Sequence, residues 1–307
     1  MSSIITVTLN PAIDKSSSID FLEPAKKLRC GPPAFQAGGG GVNVARALHK
    51  LGGKATAIYF AGGCTGEFYK QLLDKERIVS AAVKTKKQLR ENFIVLDKCS
   101  GLQYRFTMPG PHIYEAEWKK MINKIKQYSA DFIVVSGSLA PGLPDDIIGK
   151  IAMIAKKRNT KLVVDCSGSA LKHVLDKTVY LVKPNLAELS ELAGKNLIGL
   201  RETVAAAQAI VRKTNIKNVV VSLGENGALL VSENLAKHFP APTVKVRSTV
   251  GAGDSMLAGI VLGLSRGKTI EESVRFGVIC GTAATMRPGT LLCDLKNVKL
   301  LLSKYEG

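Results

Sequence analysis

Phe132-Ile133-Val134-Val135-Ser136 runs into a turn marked by Gly137, Pro141, Gly142 and Pro144, then into Asp145–Arg158 and Lys161-Leu162-Val163-Val164-Asp165. The two outer pieces are continuous apolar runs, as expected of strands buried on both faces. The middle piece reads as a helix. The same rhythm continues in both directions. Ile4–Leu9, Ala55–Phe60, Tyr180–Val182 and Asn218–Ser222 read as strands, and Gly41–Leu51 and Asp254–Arg266 as helices. Short β-branched strands alternating with helices predict an α/β fold with a doubly wound, mostly parallel sheet.

Two stretches break the rhythm. Lys15–Ala37 has few helix signals and alternates weakly. Gln88–Thr107 holds two strand-like runs, Asn92–Asp97 and Gln103–Phe106, joined by a turn at Cys99–Gly101. Both read as material outside the main sheet, and α/β ligand sites lie at the carboxyl ends of strands. The expectation is one domain over 1–307, with a small β lid built from about 15–37 and 88–107.

Composition narrows the classes. Hydrophobic residues make up 46% and charged residues 22%, an ordinary globular mixture. Apolar stretches such as Ala258–Leu264 fall far short of the roughly 20 residues a membrane span needs. No basic segment opens the chain, and Pro11 and Asp14 interrupt its first apolar run, so no signal peptide is expected. Cys30, Cys64, Cys99, Cys166, Cys280 and Cys293 are scattered, without zinc-like clustering, which predicts a reduced, cytoplasmic protein. Against 25 acids stand 43 Lys and Arg, a net charge of +18. That excess suits nucleic acid, an anionic membrane or phosphorylated small molecules, or simply reflects solvated surfaces. In Glu115–Tyr128, Trp118, Met121, Ile122 and Ile125 are spaced for one buried face, with Lys120 and Lys124 on the other side.

Four clusters carry chemistry. Thr249-Val250-Gly251-Ala252-Gly253-Asp254-Ser255 precedes an apolar helix. Glycines there let N–H groups converge on an anion, and the helix dipole adds positive potential. Asp254 reads either as a helix cap or as a base beside that cradle. Gly38-Gly39-Gly40-Gly41 opens a second helix bearing Asn43, which permits close backbone approach to a ligand. Lys183-Pro184-Asn185-Leu186-Ala187-Glu188 places Asn185 and Glu188 on one helix face. They form either a capping box or oxygen donors for a water-rich Mg²⁺ shell. Ser222-Leu223-Gly224-Glu225-Asn226-Gly227 reads as a turn beneath a nucleotide or as a plain hairpin turn. Asp14, in Asn10-Pro11-Ala12-Ile13-Asp14, is suited to sugar hydroxyls or to an Asx turn.

In this order and spacing the clusters resemble the PfkB sugar kinases of the ribokinase-like superfamily, over nearly the whole chain. Val250–Asp254 and Gly39–Asn43 match the family's two most specific motifs. The resemblance implies a ribokinase-like three-layer αβα core with a mostly parallel sheet and a small β-sheet lid. It implies a catalytic base at Asp254, with Gly251, Ala252 and Gly253 offering N–H groups to the transferring phosphoryl group. Asp14, Gly39, Gly40, Asn43 and Ser138 would bind the sugar; Arg90 and Arg105 would bind its phosphate. Lys27 matches a lysine that reaches in from a neighbouring subunit. Lys183, Asn185, Ser222, Gly224, Gly227, Ser248 and Val250 would serve ATP; Glu188, Asp165 and Asn185 would serve its Mg²⁺.

The sequence is most similar to the branch of the family that phosphorylates fructose 6-phosphate. The segments that carry this are Lys27–Cys30, Gln103–Gly110 and Val274–Val278. Gly40 stands where the branch acting on fructose 1-phosphate or tagatose 6-phosphate usually has lysine. Phosphorylation of those two sugars is the rival reading, and nucleic-acid binding a remote one. The resemblance also implies a homodimer through the lid and a K⁺ site near 284–289, where Arg287 either replaces the ion or points outward.

Overall fold

The structure is a computed structural model that describes residues 2–166 and 169–305. From the N-terminus, β1 (Ile4–Thr8) leads to β2 (Ala12–Ile19), β3 (Ala34–Gly38), α1 (Gly40–Lys50) and β4 (Thr56–Ala61). Next come α2 (Gly63–Lys75), β5 (Ser80–Lys84), β6 (Arg90–Asp97), β7 (Gln103–Phe106) and α3 (Glu115–Lys126). Then follow β8 (Phe132–Ser136), α4 (Ile147–Lys157), β9 (Lys161–Asp165), α5 (Ser169–Lys172) and β10 (Val179–Val182). The chain continues through α6 (Leu186–Ala193), α7 (Gly199–Lys213), β11 (Ile216–Ser222), β12 (Ala228–Ser232) and β13 (Leu235–Phe239). It ends in α8 (Ala252–Ser265), α9 (Ile270–Thr285) and α10 (Leu295–Tyr305).

Nine strands form one sheet in the order β13-β12-β11-β10-β9-β8-β1-β4-β5. Pairing is parallel from β5 to β11 and antiparallel for β12 and β13. Along β8, Ile133 and Val135 pack with Met121, Ile125, Ile147 and Ile151 of α3 and α4. Phe132 and Val134 point the other way, to the core built on Leu48, Leu257, Ile260 and Val278 of α1, α8 and α9. Both faces are covered, which is why these strands read as unbroken apolar runs. No described helix is long and apolar enough to cross a membrane.

In α3, Met121, Ile122 and Ile125 are buried as the spacing predicts, whereas Trp118 is only partly buried. Glu117 is also buried, because its carboxylate accepts from the N–H groups of Lys86 and Tyr114 at 2.7 Å each.

A second sheet has the order β3-β2-β6-β7. Its register sets Asp14 opposite Gln36 and Asn92, Ala12 opposite Arg90, and Ile94 opposite Arg105. Side chains alternate across a sheet, so Asp14, Gln36, Arg90, Asn92 and Arg105 share one face. Lys15, Phe35, Phe93 and Phe106 share the other, where the Lys15 ammonium lies over the rings of Phe35 and Phe93. The polar face meets the core, since Thr290 Oγ1 donates to Gln36 Oε1 at 2.5 Å. Strand β2 starts at Ala12, ahead of the expected Lys15, so Asp14 belongs to a strand and not to an Asx turn. The polar run Lys15–Ser18 hid this: the sheet shelters neither of its faces fully, so no hydrophobic alternation marks it.

Candidate active site

The helix α8 starts at the carboxyl edge of the main sheet. Its cap, Gly251, is left-handed at φ 74°, and a Cβ there would meet Leu292 Cδ2 at 2.7 Å. Only glycine takes both conditions easily. The first helical turn is Ala252-Gly253-Asp254, whose N–H groups have no intrahelical acceptors. Asp254 is not a cap. Its Oδ2 accepts from Asn43 Nδ2 of α1 at 3.0 Å. Burial, then the charge of Asp165, pushes the Asp254 carboxyl up to about 6, against the Asn43 hydrogen bond and Lys183.

Helix α1 reaches this point because its first turn is glycine. A Cβ on Gly40 would lie 2.3 Å from Ser136 Oγ and 2.7 Å from Gly137 N. One on Gly41 would lie 2.5 Å from the Val7 carbonyl oxygen. The bare turn therefore packs directly on the ends of β1 and β8, and Gly39 enters it at φ 109°.

Across the gap, Asp14 accepts from Asn92 Nδ2 at 2.9 Å. Burial raises its pKa, against that bond and the charges of Arg46, Arg90 and Arg105. Arg90 donates to the carbonyls of Asn10 and Met108 at 3.0 Å each, while its buried Nε has no protein partner. Burial lowers the Arg90 pKa, against the pull of Asp14. Ser138 is held at this rim through Asn10 Nδ2, which donates to Ser138 Oγ at 3.0 Å. Arg105 is exposed on the same sheet face. Lys27 lies apart, exposed on the connection between β2 and β3, and one chain does not bring it to the site.

On the other side, Lys183 is 5% exposed and pairs with Asp165 at 3.1 Å. Its Nζ lies 3.5 Å from where a Cβ on Gly253 would sit, next to the α8 cradle. Burial opposes its charge, but Asp165, Asp254 and Glu188 outweigh burial and hold its pKa above the usual value. Asp165 is raised by burial, against Lys183 and Ser136. Asn185 and Glu188 form the capping box: Asn185 N donates to Glu188 Oε2 at 2.9 Å, and Glu188 N to Asn185 Oδ1 at 2.8 Å. Among the described residues no three His, Cys, Asp or Glu side chains converge as a ready metal cage.

Ser222 bridges to Asn185 at the end of β11. The turn after it is a 3-10 turn, Gly224–Asn226, closing a β11–β12 hairpin. Gly227 at φ 86° sits under Phe239, whose carbonyl oxygen a Cβ would meet at 2.0 Å. Ser248 is nearly buried and accepts from Val250 N at 3.2 Å. Arg287 is bonded to Asp294.

The reading of single motifs missed Asn92 and Arg46, which touch Asp14 and Asn43. The only local signal for Arg46 was its place one helical turn after Asn43.

Residues 5–297 match the pfkB family carbohydrate kinase description. The chain is 44% identical over 307 residues to the ATP-dependent 6-phosphofructokinase isozyme 2 of Escherichia coli strain K12, covering 98% of this chain and 99% of that protein. It is 32% identical over 306 residues to a 1-phosphofructokinase of Borreliella burgdorferi, covering 99% and 97%. A crystal structure of phosphofructokinase-2 from Escherichia coli in complex with potassium matches with TM-score 0.96 and 41% identity over 100% of both chains. Two more structures of that enzyme, one with fructose-6-phosphate and one of a tetrameric inhibited form, match at TM-score 0.94 and 40% identity over 100% of both chains. The chain belongs to the pfkB family of carbohydrate kinases.

Proposed function

We propose that this kinase transfers the γ-phosphoryl group of ATP to the 1-hydroxyl of fructose 6-phosphate, giving fructose 1,6-bisphosphate and ADP. The observation that supports this most is the Asn43–Asp254 hydrogen bond, which joins the two glycine-led helices at one carboxylate. Asp254 takes the proton from the 1-hydroxyl as its oxygen bonds to the γ-phosphorus. The bond from that phosphorus to ADP breaks, and ADP carries the electron pair away. The N–H groups of Gly251, Ala252 and Gly253 meet the transferring charge, and Lys183 faces the phosphates beside them. Asp14, Gly39, Gly40, Asn43 and Ser138 hold the sugar. Arg90, with its unpartnered Nε, and Arg105 hold its 6-phosphate.

Ser222, Gly224, Gly227, Ser248 and Val250 shape the nucleotide pocket. The donors present fit Mg²⁺ carried on ATP, a hard cation that keeps most of its waters. Glu188 spends Oε2 on the cap and keeps Oε1 for metal-bound water, alongside Asp165 and Asn185. Bound Mg²⁺ supplies neutralisation of phosphate charge. The Arg287 guanidinium is committed to Asp294, so we assign no replacement role to it and expect K⁺ to be required. The six free cysteines are consistent with a cytoplasmic location.

The fructose 1-phosphate and tagatose 6-phosphate reading is disfavoured at Gly40. Any side chain there would collide with Ser136 and Gly137, leaving no room for the lysine of that branch. The test is kcat/KM on the three phosphosugars, in potassium and in choline buffers. Fructose 6-phosphate should lead by at least about tenfold, which corresponds to ~1.4 kcal/mol of transition-state discrimination. Preference for either rival sugar would overturn the substrate. Unchanged rates without potassium would overturn the K⁺ requirement. Asp254→Asn should lower kcat by about 10²–10⁴, and retained activity would remove Asp254 as the base.

A further inference from the structure

A line of side chains runs from Asp254 back into the protein. Asn43 gives its Nδ2 to Asp254, and its Oδ1 accepts from Arg46 Nη1 at 3.2 Å. The same Arg46 nitrogen donates to the Ala37 carbonyl at 2.8 Å. The other edge of the guanidinium grips Glu76, with Nη2 to Oε1 at 2.6 Å and Nε to Oε1 and Oε2 at 3.1 and 3.0 Å. Arg46 is 3% exposed, so a bound sugar does not reach it.

The polarity of this line is forced. A primary amide is nearly symmetric in shape, and alone Asn43 could turn end for end. A guanidinium has only donors, so the amide oxygen must face Arg46. The amide nitrogen must then face the carboxylate. Glu76 and the Ala37 carbonyl hold the guanidinium from two sides, which keeps the arrangement from reversing. One oxygen of Asp254 is thereby tied to a fixed donor, and the other is left to receive the hydroxyl proton.

We propose that Arg46, clamped by Glu76, is a positioning residue that sets the direction of the Asn43 amide and so aims the Asp254 carboxylate at the acceptor hydroxyl. This rests on the kinase reading of Asp254. Arg46 touches no reacting atom and acts only through Asn43. The charged groups that bear on Asp254 from the elements around it are Asp165 on β9, Lys183 just after β10 and Asp14 on β2. Of these, only Asp14 also feels the Arg46 charge, which Arg46→Lys keeps and Arg46→Met removes.

The test compares Arg46→Lys and Arg46→Met with the parent, in full-length protein. Lysine keeps a positive charge beside Glu76, but its compact ammonium cannot hold Glu76, Ala37 and Asn43 at once. Arg46→Lys should fold, lose about tenfold in kcat and keep the ATP KM within about twofold, because only the transition state uses the aimed carboxylate. The acid limb of its kcat profile should move upward, because the charged carboxylate loses a fixed hydrogen-bond donor. Arg46→Met should fall further in kcat. If it does not fold, Arg46→Lys alone decides.

A folded Arg46→Lys with the parent's kcat and acid limb would overturn the proposal. So would a loss shared equally between kcat and ATP binding with the limb unmoved, since that marks general damage. Asp254→Asn separates the two levels. If it is inactive while Arg46→Lys behaves as the parent, only the positioning role fails. If it stays active, the base assignment fails first.

Discussion

Asp254 carries opposing demands: burial and Asp165 favour its protonated form, and Asn43 and Lys183 favour the charged one. With its carboxyl at about 6 against an ordinary 3.8, the folded state holds a proton that the unfolded chain has released across that window. The folded state binds more protons there, so stability falls as pH rises through the window. The cost is complete above about pH 6 and absent below the ordinary carboxylate range. At ~1.4 kcal/mol for each pH unit, it reaches about 2 to 3 kcal/mol. Asp254→Asn should therefore melt above the parent at pH 7.5, with the gap closing towards pH 4. Thermal melts at the two pH values check this, and an equal gap at both would contradict it. A base poised near neutrality at the expense of local stability is what proton abstraction asks for. The acid itself was plain in the sequence. Its partner Asn43 was named as a sugar ligand, and its bond to Asp254 was not legible, because 211 residues separate the two.

Among the elements, α6 shows how one sequence pattern serves two readings. Asn185 and Glu188 fit a cap and a metal shell equally well on spacing, and the cap forms. Asn185→Ala should cost about 1 kcal/mol of stability through the lost cap alone. If the pair also serves MgATP, the variant's KM for ATP should rise several-fold while that for the sugar stays put. Denaturant melts and the two KM values separate the effects, and an unchanged ATP KM would leave the pair purely structural. The hairpin after β11 behaves similarly: its plain turn reading holds, and Gly227 is required by contact with Phe239. The central main-sheet strands were legible to within about two residues, with β8 and β9 spanning the ranges their apolar runs suggest, whereas β5, β12 and β13 towards the sheet edges were not read. Strand β2 was not, since its residues answer to partners in β3 and β6 rather than to local periodicity.

For the whole molecule, the second sheet sets the shape of the site and the surface left outside it. Its polar face carries Asp14, Arg90 and Arg105, and its other face carries Phe35, Phe93 and Phe106 at 36%, 38% and 47% exposure. Aromatic rings clustered on one exposed face mark a contact surface. We propose self-association through this lid, which would also bring Lys27 of one chain towards the site of another. Phe93→Asp should shift the protein to monomer and raise the sugar KM. Sedimentation at several concentrations checks this, and an unchanged assembly with unchanged KM would remove the lid interface. The net charge of +18 plays a smaller part than its size suggests. Lys70, Lys119 and Lys150 pair with acids one helical turn away at the surface, where solvent screens each pair.

The sequence by itself determined the α/β class, the parallel core and the glycine-acid motifs, because each is written in neighbouring residues: apolar runs, turns and helix starts. Only the tertiary structure decided that Asn185 and Glu188 close a cap, that Asp14 sits in a strand, and that Glu76, Arg46 and Asn43 line up behind Asp254. Those facts depend on which distant side chains share a buried space, and burial is a property of the packed chain.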